Sequence, residues 1–460
     1  MRTPSHTVAR VAGQLSRGLG RGGGTSLPGK VLLRLRPTAV GELTARLARG
    51  VVLVSATNGK TTTTRLIAEM IRGAGWRLVS NPAGANLLPG VATALLMDAR
   101  RRSPADIGLF EVDEAALSAV ADETEPRLVL LMNLFRDQLD RYGELEALAS
   151  RWEAMVRDLP EQTVLVLNAD DPAVCALGRD RMRTVLFGLE DTSVALPELP
   201  HAADSTRCRQ CASELVYDAV FVGHMGHWRC PSCGLARPTP HIRARRIVLD
   251  GIRGIDITID TPAGPASARV SLPGVTSAYN ATAACAAAIA LGLPPERVAM
   301  ALAYTPPAFG RGEWVELSGR DVVLLLAKNP TGANETVRTV LLDEGPVNLL
   351  VTLNDRTADG HDVSWIWDVD FEPLLGHLGS LTLSGDRAYD LALRFRYAGL
   401  PAEAMTVEPD LEAALDLAVQ ATPEGNILHV LPTYTSMLDL RALLARRGAV
   451  DHFWRDGRGA

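Results

Sequence analysis

Three stretches of this chain carry residues whose types and spacing could do chemistry. In the first, the apolar run VVLVS (51–55) leads into Thr57-Asn58-Gly59-Lys60-Thr61-Thr62, and a helical pattern follows. Backbone N–H groups at such a helix start can cradle phosphates, Lys60 can neutralise them, and Thr61 or Thr62 can hold Mg²⁺. A full generic phosphate-loop spacing would need Gly at position 54, where this chain has Val54. The second stretch is Cys208-x2-Cys211, eighteen residues, then Cys230-x2-Cys233. Each turn presents two thiolates to one side, and two turns complete a tetrahedron, so a closed, structural Zn²⁺ site is expected. The third, ADGHDVSWIWDVDFE (358–372), gathers Asp359, Asp362, Asp368, Asp370 and Glu372 around Trp365 and Trp367. It looks catalytic, yet no Cys nucleophile lies near it.

A phosphate cradle works only if rigid elements hold it. Apolar runs at 107–112, 127–133 and 163–168 read as buried strands, and Leu66, Ile67, Met70 and Ile71 form a helical stripe ending near Gly73. Strands alternating with helices imply a mostly parallel sheet covered on both faces. From about 200 to 240 the sequence turns polar and carries the four Cys, as an insertion does. Beyond it, IVLDGIRGIDITID and ASARVSL read as hairpin strands and NATAACAAAIALGL (280–293) as a tightly packed helix. The rhythm resumes at 322–327, 347–353, 381–385 and 427–432. TPPAFGRGE (305–313) breaks the pattern with two prolines and two glycines. The expected organisation is a lead-in with a basic arm (1–45), an α/β nucleotide-binding domain (46–305) and a second, Rossmann-like α/β domain (306–460).

The totals agree. A chain of 460 residues is too long for one core, and a net charge of −6 argues against nucleic-acid binding through bulk positive charge. No apolar run is long enough to span a membrane. The first 41 residues contain no acid and include Arg2, Arg10, Arg17, Arg21 and Lys30, an arm that could meet an anionic lipid surface. Cys175 and Cys285 read as core residues, and His224 and His227 as surface residues rather than ligands.

The motif TNGKTTT resembles the Mur ligase superfamily, ATP-dependent enzymes that activate a carboxylate as an acyl phosphate. EVDE (111–114), NLFRDQLDRYGE (133–144), LNADDP (167–172), SAYNATAA (277–284) and GRGE (310–313) extend the resemblance. It implies that Thr57 to Thr62 bind the nucleotide phosphates, that Glu111 (or Glu114) joins Thr61 at Mg²⁺, and that Asn280 and Arg311 contact the nucleotide. Ala56 stands where that family usually has Gly. No Lys occupies the place of the carbamylated lysine of the amino-acid-adding members; Arg151 sits roughly there.

With NPAGAN (81–86), the four Cys, LAKNPTGANE (326–335), LNDRTADGHDVSWIWDVDFE (353–372) and PTYTSM (432–437), the resemblance covers nearly the whole chain. It narrows to the synthetase subunits of lipid II isoglutaminyl synthase. Their implied reaction is ATP-dependent amidation of the α-carboxylate of D-glutamate in lipid II, using ammonia from a GatD-type glutamine amidotransferase partner. By that resemblance Asp362 completes the partner's Cys–His pair, with Asp355, Asp359 and Asp368 as alternatives. Asn81, Asn86, Lys328, Asn329 and Asn334 become candidates for the substrate or reaction site. The lipid-anchored substrate implies a cytoplasmic protein peripheral to the membrane. Two other readings stay open: a stand-alone Mur or folylpolyglutamate-type ligase, and a nucleotide-regulated zinc-ribbon protein without turnover.

Overall fold

The computed structural model describes residues 26–450 apart from 83, 102, 138–144, 202 and 307–309. The basic arm before residue 26, the second half of NLFRDQLDRYGE and the middle of TPPAFGRGE therefore lie outside the described residues.

A nine-stranded sheet carries the first part of the chain: β1 Val51–Ser55, β2 Leu78–Ser80, β3 Ile107–Glu111, β4 Leu128–Leu131, β5 Val164–Asn168 and β6 Thr184–Leu189. The hairpin β7 Val216–Val222 and β8 Met225–Arg229 stands apart as its own two-stranded sheet. The chain then returns to the large sheet as β9 Ile242–Asp250, β10 Gly254–Thr261 and β11 Gly264–Val270. The order is β11-β10-β9-β6-β5-β4-β1-β3-β2, parallel from β2 to β9 and antiparallel beyond it. The strands β1, β3 and β4 are buried along their whole length, which explains why they read as continuous apolar runs rather than alternating ones. Because β1 lies between β3 and β4, the order reverses there, and the loops beyond their carboxyl ends open a crevice.

Two helices fix that crevice from behind. Lys60–Gly73 buries Leu66, Ile67, Met70 and Ile71, the stripe expected from the sequence. Val275–Ala290 is buried over nearly all its length, since its alanines allow close approach to the sheet and to Lys60–Gly73.

After the helix Pro295–Tyr304 the chain enters a six-stranded sheet: β12 Arg311–Leu317, β13 Arg320–Leu325, β14 Val347–Thr352, β15 Leu378–Ser384, β16 Thr406–Val407 and β17 Ile427–Pro432. Its order is β12-β13-β17-β14-β15-β16, parallel except for the β12–β13 hairpin. Separate apolar clusters cover its two faces. The strands expected from the sequence at 322–327, 347–353, 381–385 and 427–432 are all present. The strand β12 begins within the stretch read only as a break, because Gly310 before it and Gly312 inside it take positive φ and mask a strand signal.

Two expectations need correction. His224 is fully buried, not a surface residue; its Nε2 lies 3.2 Å from Asp171 Oδ2 and its ring packs on Phe135. Cys175 is only partly buried and packs against the four-cysteine unit, whereas Cys285 is a core residue as expected. Burial pushes the Cys285 thiol up to about 12, so it is inert.

Candidate active site

The loop after β1 meets the helix Lys60–Gly73 at Gly59, whose φ of 91° lies in the left-handed region that favours glycine. A side chain at Gly59 would collide with Asn280 Oδ1 on the helix Val275–Ala290, so this contact demands glycine on both counts. Asn280 Oδ1 also accepts from Thr63 Oγ1 at 3.3 Å. Asn133, just beyond β4, clamps the loop backbone: its Oδ1 accepts from Asn58 N at 2.9 Å and its Nδ2 donates to Asn58 O at 3.0 Å.

Lys60 is buried and ion-paired to Glu114 at 2.7 Å. Burial works against its charge, but Glu114, with Glu111 and Asp137 beyond it, holds its pKa above the ordinary value. Glu111 ends β3 and accepts from Thr61 Oγ1 at 3.0 Å, so the two expected Mg²⁺ ligands already touch. Of the two glutamates in EVDE, Glu111 faces Thr61 while Glu114 is committed to Lys60. Asn81 holds Glu111 in place through its backbone, with bonds of 2.9 Å to Glu111 O and 3.1 Å from Glu111 N.

These residues open on a cavity of about 450 Å³, walled on one side by Thr57 to Thr62, Glu111, Asn133 and Asn280 and on the other by Arg311, Lys328 and Tyr434. Asn329 ties the two sheets together. Its Nδ2 donates to Asn58 Oδ1 at 3.0 Å, while its Oδ1 accepts from Gly332 N at 2.8 Å and caps the helix Pro330–Val340. Lys328 pairs with Asp137. Arg311 forms no ion pair with a described residue, and desolvation holds its guanidinium below its ordinary pKa. A desolvated cation that Glu111 attracts without an ion pair, lining the same cavity as the phosphate loop, suits an anion.

The candidate residues thus divide. Asn86 and Lys328 line the cavity together with the phosphate loop, Glu111, Asn280 and Arg311. Asn81 and Asn334 do not: the first steadies Glu111, and the second accepts from Asp370 N at 2.8 Å, tethering the acidic loop. Sequence reasoning passed over Asn133, Asp137, Tyr434 and Glu335, all of which line the cavity. The i, i+4 spacing of Thr331 and Glu335, which puts both on one helix face, was the available signal for Glu335.

The four cysteine sulfurs lie within 4.8 Å of one another, with Cys208 to Cys233 at 3.6 Å and Cys211 to Cys230 at 3.4 Å. Those separations fit a tetrahedron of about 2.3 Å metal–sulfur bonds. Hydrogen bonds from Ser213 hold the Cys211 thiol down to about 6, so a thiolate is available there. The unit is not remote from the cavity: Val222 and Met225, which flank the β7–β8 turn, line it.

In the acidic loop, Asp362 is exposed and accepts from Ser364 N at 2.9 Å; hydrogen bonds from the Ser364 side chain and backbone together hold its carboxyl below the usual range. Its alternatives are occupied. Asp359 is bonded to Thr435, Asp368 pairs with Arg136 at 3.2 Å, and Asp355 lies 3.8 Å from Arg387. Trp365 packs against the second core, whereas Trp367 is half exposed against Tyr397, with ring centroids 5.3 Å apart.

Comparison with known proteins bears on this geometry. A Mur ligase middle domain matches residues 54–221, and a MurT ligase C-terminal domain matches residues 326–437. The MurT subunit of lipid II isoglutaminyl synthase (glutamine-hydrolyzing) from Streptococcus pneumoniae strain R6 is 32% identical over 452 residues, covering 96% of this chain and 98% of its own. The subunit of that name from Staphylococcus aureus strain N315 is 28% identical, covering 95% and 97%. A pseudomurein peptide ligase type C from Methanothermus fervidus shares the fold, with a TM-score of 0.69 at 19% identity over 88% of this chain and 80% of its own. Two domain matches in the right order and a full-length relative above 30% identity agree, and the chain belongs to the MurT family of Mur ligase-like proteins.

Proposed function

We propose that this protein is the ATP-dependent synthetase subunit of a lipid II isoglutaminyl synthase. Lys60 and the amides of Thr57 to Thr62 receive the ATP phosphates, and Thr61 and Glu111 would hold Mg²⁺, which supplies charge neutralisation at the transferring phosphoryl group. The substrate is the α-carboxylate of D-glutamate in the lipid II stem peptide. Its oxygen takes the γ-phosphoryl group, and Arg311 and Lys328 are positioned to balance the anionic charge that accumulates. Ammonia then attacks the acyl carbon, phosphate leaves, and the amide of D-isoglutamine forms. No protein nucleophile is required, because positioning and electrostatics carry phosphoryl transfer. The four cysteines would hold a structural Zn²⁺.

The ammonia source is a GatD-type amidotransferase that lacks its own third triad member. The observation that carries this reading is Asp362: an exposed, ionised carboxylate with no cation among the described residues, four positions from the cavity-lining Ala358. A carboxylate in that state can orient a histidine supplied by a second chain. Trp367, Tyr389, Leu393 and Tyr397, all exposed and clustered beside this loop, offer an apolar docking surface. No helix among the described residues is long and apolar enough to cross a membrane, which suits peripheral work on a lipid-anchored substrate at the cytoplasmic face.

The test is amidation of lipid II by the protein with its partner, driven either by glutamine or by high ammonium. Asp362→Asn is expected to abolish the glutamine-driven reaction and spare the ammonium-driven one. Survival of both reactions would end the borrowed-triad idea, and loss of both in a folded variant would assign Asp362 to the ligase chemistry.

A further inference from the structure

The hairpin β7–β8 forms a two-stranded sheet of its own, and a hairpin of that size is marginally stable by itself. The cysteines sit at its open end: Val216 pairs with Arg229, Leu215 N donates to Thr206 O beside the Cys208 turn, and Cys230 directly follows β8. Its closed end lies about 20 Å away along the seven residues of β7. Turns normally lie on the surface. Here Phe221, Val222, His224 and Met225 are each 2% exposed or less. A Cβ on Gly223 would meet Phe135 Cε1 at 2.8 Å and Thr331 Cγ2 at 3.3 Å, so the turn contacts residues that follow β4 and β13, one from each large sheet. The His224 ring packs on Phe135 with centroids 4.8 Å apart, and its Nε2 faces the Asp171 oxygen that accepts from Leu134 N at 3.0 Å. Phe135 in turn seats the phosphate loop: its N–H donates to Thr57 Oγ1 at 3.0 Å, and its carbonyl accepts from that hydroxyl at 3.3 Å. Arg338 of the helix Pro330–Val340 donates to Phe221 O at 2.8 Å. One hairpin therefore connects the four sulfurs with Thr57 and with the helix Pro330–Val340.

We propose that the turn at Gly223 and His224 is a positioning device through which metal in the four-cysteine unit sets the phosphate loop, so that metal and nucleotide bind cooperatively. This goes beyond a purely stabilising zinc and rests on the nucleotide reading above. Metal binding at thiolates is folding free energy, and closing the open end orders the strands that carry the turn. An ordered turn holds Phe135 against Thr57 in one arrangement, which spares a nucleotide the cost of ordering the loop. Coupling of this kind is reciprocal: whatever factor metal adds to nucleotide affinity, nucleotide adds to metal affinity. A unit that only stabilises the fold gives no such factor in the folded protein.

The experiment is equilibrium competition for Zn²⁺ between the full chain and a zinc-selective chelator with little affinity for Mg²⁺, with and without saturating Mg-ADP, beside calorimetric titration of Mg-ADP. In the wild type Mg-ADP is expected to raise zinc affinity about tenfold, within the usual range of coupling between sites. The zinc-stripped chain, folded by circular dichroism, should bind Mg-ADP weaker by the same factor. His224→Ala leaves all four cysteines and should retain its zinc, while the effect of Mg-ADP on zinc affinity falls to within about twofold. Gly223→Ala, whose methyl meets Phe135, makes the same test where His224→Ala does not fold. Zinc affinity left unchanged by Mg-ADP, in a wild type that binds Mg-ADP, overturns the proposal and leaves the nucleotide reading standing. Undiminished coupling in the turn variants overturns it too, since the connection then runs elsewhere. So does a folded chain that takes up no zinc. A wild type that binds zinc but no Mg-ADP removes the nucleotide reading, and the proposal with it.

Discussion

Around Lys60 the charged groups are buried and answered from other elements: Glu114 from beyond β3, Asn133 from beyond β4, Asn280 from a buried helix, and Asn329 from the second sheet. Around Asp362 the polar contacts are local, the exposed carboxylate accepting from the backbone amide and side chain of Ser364, two residues on. The first region is held together within the chain, so removing one of its buried charges alone should disturb the fold as well as the function. The second is exposed and bonded only locally, so on the proposed reading its chemistry should be separable from stability. That contrast is what the proposed division between a ligase reaction and a shared nitrogen supply predicts.

The comparison breaks if a buried member of the cavity proves energetically silent. Lys60→Met should cut ATP-dependent amidation about 10³-fold, by analogy with the loss of one charge-stabilising group. It also strands Glu114 at 6% side-chain exposure, where losing a buried partner costs about 3–5 kcal/mol. Adding Glu114→Gln should restore most of the stability and none of the turnover, as read by denaturant unfolding beside kinetic assays. Glu335 gives the next effect. Its carboxyl rises from 4.5 to about 7 on folding, so between those values the folded chain holds a proton that the unfolded chain has released. Stability is therefore lost as pH rises through that window, and the penalty is complete above 7. Glu335→Gln is neutral throughout. Its stability gain over the wild type should grow from pH 5 to pH 8, towards about 3 kcal/mol from 1.36 kcal/mol per pKa unit. A gap constant with pH would show that Glu335 does not titrate there.

The phosphate loop, the four-cysteine unit and most strands of both sheets were legible because each rests on local pattern, an apolar run, a helical stripe or two CxxC turns, whereas the short β2 and β16, the partly exposed β6 and the glycine-led β12 gave no such run. What escaped depends on tertiary contact. His224 is polar and sits in a polar stretch, yet Phe135 and Asp171 close over it. Asn81 and Asn334 carry the same side chain as Asn86 but face the backbone of Glu111 and Asp370 instead of the cavity. Asp362 stood among four carboxylates that sequence could separate only by resemblance; ion pairs and burial now separate them physically.

Asn329→Ala tests the joint between the two regions. It removes a helix cap and the contact with Asn58, a loss of about 1–2 kcal/mol. Because Asn58 is its partner, the double variant with Asn58→Ala should be less destabilised than the sum of the single variants, by about 0.5–1 kcal/mol.

The smallest effect sharpens the comparison most. Asp362→Asn keeps an oxygen for the Ser364 amide, removes a solvent-screened charge and touches no core side chain, so its unfolding free energy should lie within about 0.5 kcal/mol of the wild type. The same change should lower glutamine-driven amidation by about 10⁴-fold if the carboxylate sets the tautomer and orientation of a partner histidine. A residue with no measurable weight in the fold and a large weight in one of two nitrogen-supply routes acts outside its own chain. A drop of more than 2 kcal/mol in stability would instead make the loop an ordinary structural turn whose activity loss follows from unfolding.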